Sequence, residues 1–180
     1  MIQERKVALI GRILRAARFD GRLYQELQAD PTATVPALAV VLLSGLSLGL
    51  AGVLGYYAQE SLVTQAGVLI RSLAATLAGW VVLSLLMDLA AQFMKKSATF
   101  PSMLRAIGFA NTPGILYIFV IARGTWALWI NGAILTVILV WTLLTLTAAL
   151  RYTLQISRWA SFWLSAVGML IYIVLRNLIA

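Results

Sequence analysis

The 180-residue chain contains no cysteine and no histidine. Disulfides, thiol chemistry, zinc sites and histidine-ligated haem or chlorophyll are thereby excluded for want of ligands. Acidic residues are scarce as well, six against fourteen lysines and arginines. A serine intramembrane protease would need a histidine base, an aspartyl one a second membrane carboxylate, and a phospholipid headgroup transferase a cluster of metal-binding acids. This inventory supplies none of them, so the sequence predicts no enzyme, no cofactor and no metal.

What is abundant is apolar. Hydrophobic residues make up 62% of the chain and charged ones 11%, whereas soluble domains run near about 45–50% and about 25%. The excess is too large for one soluble core, and the expected fold class is an all-α integral membrane bundle. A net charge of +8 in so apolar a chain is expected to set topology and meet anionic lipid headgroups, not nucleic acid. The first thirty residues mix Glu4, Asp20, Glu26 and Asp30 with arginines and lack a continuous apolar run. No cleavable signal is therefore expected, and the first span serves for insertion.

Residues 1–29 read as a basic amphipathic leader, with Arg5, Arg12, Arg15, Arg18 and Arg22 interleaved with apolar residues at helical spacing. Such a helix either lies in the membrane interface with its arginines on lipid headgroups or is a solvated juxtamembrane segment. Residues 30–180 form the membrane domain, opened by Asp30-Pro31, a capping carboxylate followed by proline. Breaks in charge and polarity predict five transmembrane helices over about 36–58, 62–91, 100–122, 126–150 and 159–175. The third contains Asn111-Thr112-Pro113-Gly114, and proline removes a backbone donor there, so a kinked or broken helix is expected. With the N-terminus cytoplasmic, eleven basic residues fall inside and only Arg71, Arg123 and Arg176 outside, which favours N-terminus in and C-terminus out.

Two stretches, residues 19–34 (from Phe19-Asp20-Gly21-Arg22-Leu23-Tyr24 to Asp30-Pro31-Thr32-Ala33-Thr34) and 99–113 (from Thr99-Phe100-Pro101-Ser102-Met103-Leu104-Arg105 to Gly108-Phe109-Ala110-Asn111-Thr112-Pro113), resemble the Ypt/Rab-interacting protein (Yip) domain family. The resemblance implies five membrane helices and a cytoplasmic N-terminus. In eukaryotes it implies vesicle traffic through small GTPases and membrane shaping. Here the leader is short and basic instead of long and acidic. The likeness is to a prokaryotic member in the cytoplasmic membrane, and a GTPase partner is not carried over.

Several residues admit a functional and a structural reading. Asp88 is a carboxylate inside a predicted span, either a proton or cation site or a boundary residue paired with Lys95, Lys96 or Arg105. Asn111 and Pro113 either expose half-helix ends to a solute or bend the helix around its neighbours. Gly45, Gly49 and Gly52 share one helical face, matched by Ala75 and Gly79 on the second span; they pack spans together or dock another membrane protein. Tyr56, Tyr57, Trp126 and Trp129 on one side and Phe93, Tyr152, Trp159 and Trp163 on the other read as interfacial belts. Trp80 and Trp141 lie deeper, against lipid, pigment or a neighbouring helix. The expected function is a non-enzymatic scaffold or accessory subunit of a membrane assembly. The alternatives are a small transporter or channel using Asp88 and the broken span, or a membrane-shaping factor acting through the leader.

Overall fold

Two aspartates punctuate the beginning of the chain, and the expected single leader helix is in fact two. The computed structural model describes residues 2–121 and 123–179; the side chains of Arg5, Lys6 and Arg176, and Ala122 at the expected end of the third span, lie outside the described residues. Helix α1 (Ile2–Ala17) stops before Phe19, whose φ of 60° is left-handed. Asp20 then caps α2 (Gly21–Ala29) by accepting the Arg22 N–H at 2.9 Å. A short polar side chain that takes a backbone donor favours a helix start over a helix interior, which is why the amphipathic pattern breaks here. Asp30 repeats the device, accepting from Thr32 N–H at 3.0 Å and from the Thr32 hydroxyl at 2.6 Å. A 3-10 turn over Pro31–Ala33 leads into α3 (Thr34–Gly55), and Pro36 sits in its first turn, where no backbone donor is needed.

Helix α4 (Leu62–Phe93) begins at Ser61, whose hydroxyl accepts the Thr64 N–H, and ends before Lys95, another left-handed residue. Helix α5 (Phe100–Ala110) is short. It gives way at Asn111 to a 3-10 segment, Thr112–Phe119. Helices α6 (Ala127–Leu154) and α7 (Arg158–Ile179) complete the chain, separated by a left-handed Gln155. Among the described residues there are helices and turns but no strand. Among the described residues four stretches are long and apolar enough to cross a membrane: Pro31–Gly55, Leu62–Phe93, Ala127–Leu154 and Arg158–Leu175. The third expected span, over 100–122, is not one helix but α5 plus the 3-10 segment.

That broken segment runs beside α3 and in the same direction. Gly108 lies against Ala37, Gly114 against Ser44, Ile115 and Ile118 against Ser47, and Val120 against Gly55. Residues 108–120 thus track residues 37–55 of α3. They need fewer residues for the same length because a 3-10 helix rises about 2.0 Å per residue against about 1.5 Å in an α-helix. Gly114 suits this approach, since a Cβ there would overlap the Ser44 hydroxyl oxygen and force that side chain to rotate. Helix α4 packs on α3 and on α5, α7 packs on α4 and α6, and the leader helix α2 packs on α5 and α6.

Candidate functional site

The leader presents an apolar face made of Leu23, Tyr24 and Leu27, all fully buried against the bundle. Burying such a side chain contributes roughly 1.5–3 kcal/mol, so this face alone holds α2 in place. Polar contacts then fix its register. Gln28 Nε2 donates to the Thr153 carbonyl of α6 at 3.3 Å, and an Arg105 amino group of α5 donates to the Gln28 carbonyl at 2.9 Å. That carbonyl belongs to the last turn of α2, where a guanidinium meets an otherwise unpaired acceptor and the negative end of the helix dipole. Gly21 leaves room for the Tyr152 ring, which a Cβ would overlap. Trp141 Nε1 donates to the Ala17 carbonyl at 3.0 Å and ties the end of α1 to the middle of α6.

Within the leader Arg12 and Arg15 are engaged with acids. Arg12 pairs with Asp30 at 2.6 Å, and Arg15 reaches Asp20 at 2.7 Å and both oxygens of Glu26 at 2.7 and 2.8 Å. The Arg15 hydrogen bonds hold the Asp20 and Glu26 carboxyls below the usual carboxylate range, and the Thr32 hydroxyl, helped by Arg12, does the same for Asp30. Burial pushes the Tyr24 hydroxyl up. Of the arginines expected to meet lipid headgroups, Arg12 and Arg15 therefore serve an intramolecular clasp, Arg18 and Arg22 remain exposed, and the Arg5 side chain lies outside the described residues. Ile10, Leu14 and Phe19 are exposed along α1 and at its end.

At the break, neighbouring hydroxyls take over the hydrogen bonds that the α-helix forgoes. Ser47 of α3 donates to the Ile115 carbonyl at 2.6 Å and accepts the Ile118 N–H at 2.8 Å. Thr145 of α6 donates to the Ala110 carbonyl at 2.8 Å, while the Asn111 side chain donates to the Ile107 carbonyl at 2.9 Å. Pro113 and Gly114 are buried. Satisfying backbone groups from adjacent helices is what permits an irregular segment inside an apolar bundle. Two cavities of about 20 Å³ each adjoin Asn111, Thr142, Met169 and Tyr172. A volume of about 15 Å³ or more admits one water.

The remaining residues fall as follows. Asp88 is buried near the end of α4 and accepts from Gln92 Nε2 at 2.9 Å. The expected pairing with Lys95, Lys96 or Arg105 is not found: Lys96 donates to the Gln155 carbonyl and Arg105 to Gln28. The left-handed turn at Lys95 carries the chain off the α4 axis, whereas Gln92, one turn from Asp88, shares its face. Gly45, Gly49 and Gly52 face Thr76, Leu69 with Ser72, and Val68 of α4, where a Cβ would come within 3.0–3.2 Å. Ala75 is buried, but Gly79 faces Tyr172 of α7, not α3. Trp80 Nε1 donates to the Leu104 carbonyl at 2.9 Å. Phe93, Tyr56, Tyr57, Trp126, Trp129, Trp159 and Trp163 are exposed, while Tyr152 is half-buried under the leader.

Sequence reasoning missed Ser47, Thr145, Gln28 and the burial of Arg105. A hydroxyl inside a span usually returns to the carbonyl of its own preceding turn, as Thr76, Ser84 and Thr147 do. Nothing local marks the ones that reach across.

Four long apolar helices with lipid-compatible outer faces define the chain as a multi-pass α-helical membrane protein. A family model for the Yip1 domain matches residues 18–176, from the leader hinge to the last turn of α7. The chain belongs to the Yip1 domain family. No curated protein and no solved structure matches it.

Proposed function

We propose that the chain crosses the membrane five times, with its N-terminus cytoplasmic and its C-terminus opposite, and acts as a non-enzymatic scaffold or accessory subunit. The observation that carries the fifth crossing is the alignment of the broken segment with α3 along residues 37–55. Parallel first and third segments are what an odd number of crossings between them and a common starting side require. Arg123 supports the same reading by donating to the Gly55 and Leu54 carbonyls at the far end of α3. The distribution of basic residues then puts the leader, Lys95, Lys96, Arg151 and Arg158 on the cytoplasmic side. A prokaryotic cytoplasmic membrane fits the short basic leader.

In this reading the glycine face of α3 packs spans within the subunit. The exposed flanks of α6 and α7, with Val137, Val140, Val167 and Leu170, meet lipid or another membrane protein. Arg18 and Arg22, with Ile10 and Leu14, face anionic headgroups of the cytoplasmic leaflet. The transport reading has less support, because Ser47 and Thr145 already occupy the backbone groups a solute would use. Purification in mild detergent tests the proposal. Stoichiometric membrane partners are expected, and a monodisperse lone chain active in reconstituted flux, with flux lost in Asp88→Asn, would contradict it.

A further inference from the structure

Helices α2, α5 and α6 meet in a seam whose polar groups are not all matched. Arg105 is 6% exposed and Thr153 2%, and both reach Gln28, Arg105 through its amino group to the carbonyl and Thr153 through its own carbonyl to the amide. Among the described residues Arg105 Nε and the Thr153 hydroxyl nevertheless find no hydrogen-bond partner, nor does the hydroxyl of Tyr24, one turn before Gln28 on the same face of α2. Buried polar groups are ordinarily paired, and an exception points to a bound water or ion. All three are donors.

The charge decides between the two. Of the five acids with described side chains, Asp20 and Glu26 are paired with Arg15, Asp30 with Arg12, and Asp88 is hydrogen-bonded to Gln92. Glu60 lies in the loop between α3 and α4. Among the described residues the Arg105 guanidinium is thus a buried cation with no carboxylate partner, balanced only in part by the end of the α2 dipole. A water in the seam would accept a hydrogen bond but leave that charge uncompensated, whereas an anion answers both. Leu23, Tyr24 and Leu27 are fully buried beside the seam, and so enclosed a place suits a single-atom anion and not a phosphate.

We propose that Arg105 Nε and the Thr153 hydroxyl hold a small inorganic anion, chloride in size and charge, under the leader helix. The site makes docking of the leader anion-dependent. It stands apart from the number of crossings and from the scaffold reading. The test is thermal unfolding of the purified protein in mild detergent, in sodium chloride against sodium gluconate at equal ionic strength. A chloride-dependent rise of several degrees that saturates is expected, and Arg105→Gln should abolish it. Should that variant not fold, Thr153→Val, which keeps the backbone bond to Gln28, should weaken the response severalfold. Equal midpoints in the two salts, an undiminished chloride response in Thr153→Val, or a rise caused by anionic lipid alone would overturn the proposal.

Discussion

The seam under the leader and the far end of the bundle are built differently. Where the leader meets α5 and α6, Leu23, Tyr24, Leu27, Met103, Ala149, Leu150 and Leu154 are all buried, and side chains cross-link the helices. At the opposite end Leu62, Val63, Leu128 and Trp129 are each more than 70% exposed. In water the second arrangement would be unstable, and in lipid it is unremarked, because lipid tails are as apolar as the side chains and give helices no hydrophobic reason to close up. The leader end is therefore held by burial and hydrogen bonding as a soluble domain is. The far end is held by helix continuity, by the Arg123 hydrogen bonds to the Gly55 and Leu54 carbonyls and by its solvent.

The strongest way to break this comparison is truncation at matched leucines. Leu27→Ala should destabilise by about 2–5 kcal/mol, the range for fully buried leucines, and Leu128→Ala by no more than about 0.5 kcal/mol. Denaturant titration in detergent micelles measures both, and equal losses would remove the distinction. Next in size is Ser47→Ala, which strips the Ile118 N–H and the Ile115 carbonyl of their partner and should cost about 1–3 kcal/mol. Trp141→Phe removes the donor to Ala17 and should cost about 1 kcal/mol, with a rise in the mobility of a spin label at position 10 as its specific sign.

The smallest expected effect is one of pH. Asp20, Glu26 and Asp30 have folded-state pKa values below those of the unfolded chain. Their contribution to the clasp is present above about pH 4, the unfolded carboxyl value, and is lost as pH falls through the lowered values. The same spin label should become mobile on acidification below that point. These pairs are partly exposed and screened by solvent, so the change should be modest.

Much of the architecture can be read from residue order. Apolar runs bounded by Asp30-Pro31, Gln59-Glu60-Ser61 and Arg123-Gly124 delimit helices, and Asn111-Thr112-Pro113-Gly114 announces the break through proline's missing donor. The leader shows where reading stops. Amphipathic spacing reveals that Leu23 and Leu27 share an apolar face, but not whether that face meets lipid or protein, since both solvate it equally well. The partners of Asp88 and Arg105 were illegible for a related reason. Which charged group answers another depends on how α2, α4 and α5 are placed, and that is set by contacts between residues far apart in sequence. The glycines of α3 were legible as a close-packing face, yet Gly79 shows that matched spacing on two helices does not make them neighbours.

The central claim, that the broken segment carries the chain across the membrane, is open to direct measurement because the protein has no native cysteine. Single cysteines placed at Lys96 and Thr125 can be labelled with a membrane-impermeant maleimide in sealed vesicles of known orientation. The account predicts that Lys96→Cys reacts only from the cytoplasmic side and Thr125→Cys only from the other. Labelling of both from one side would show that residues 100–121 turn back instead of crossing.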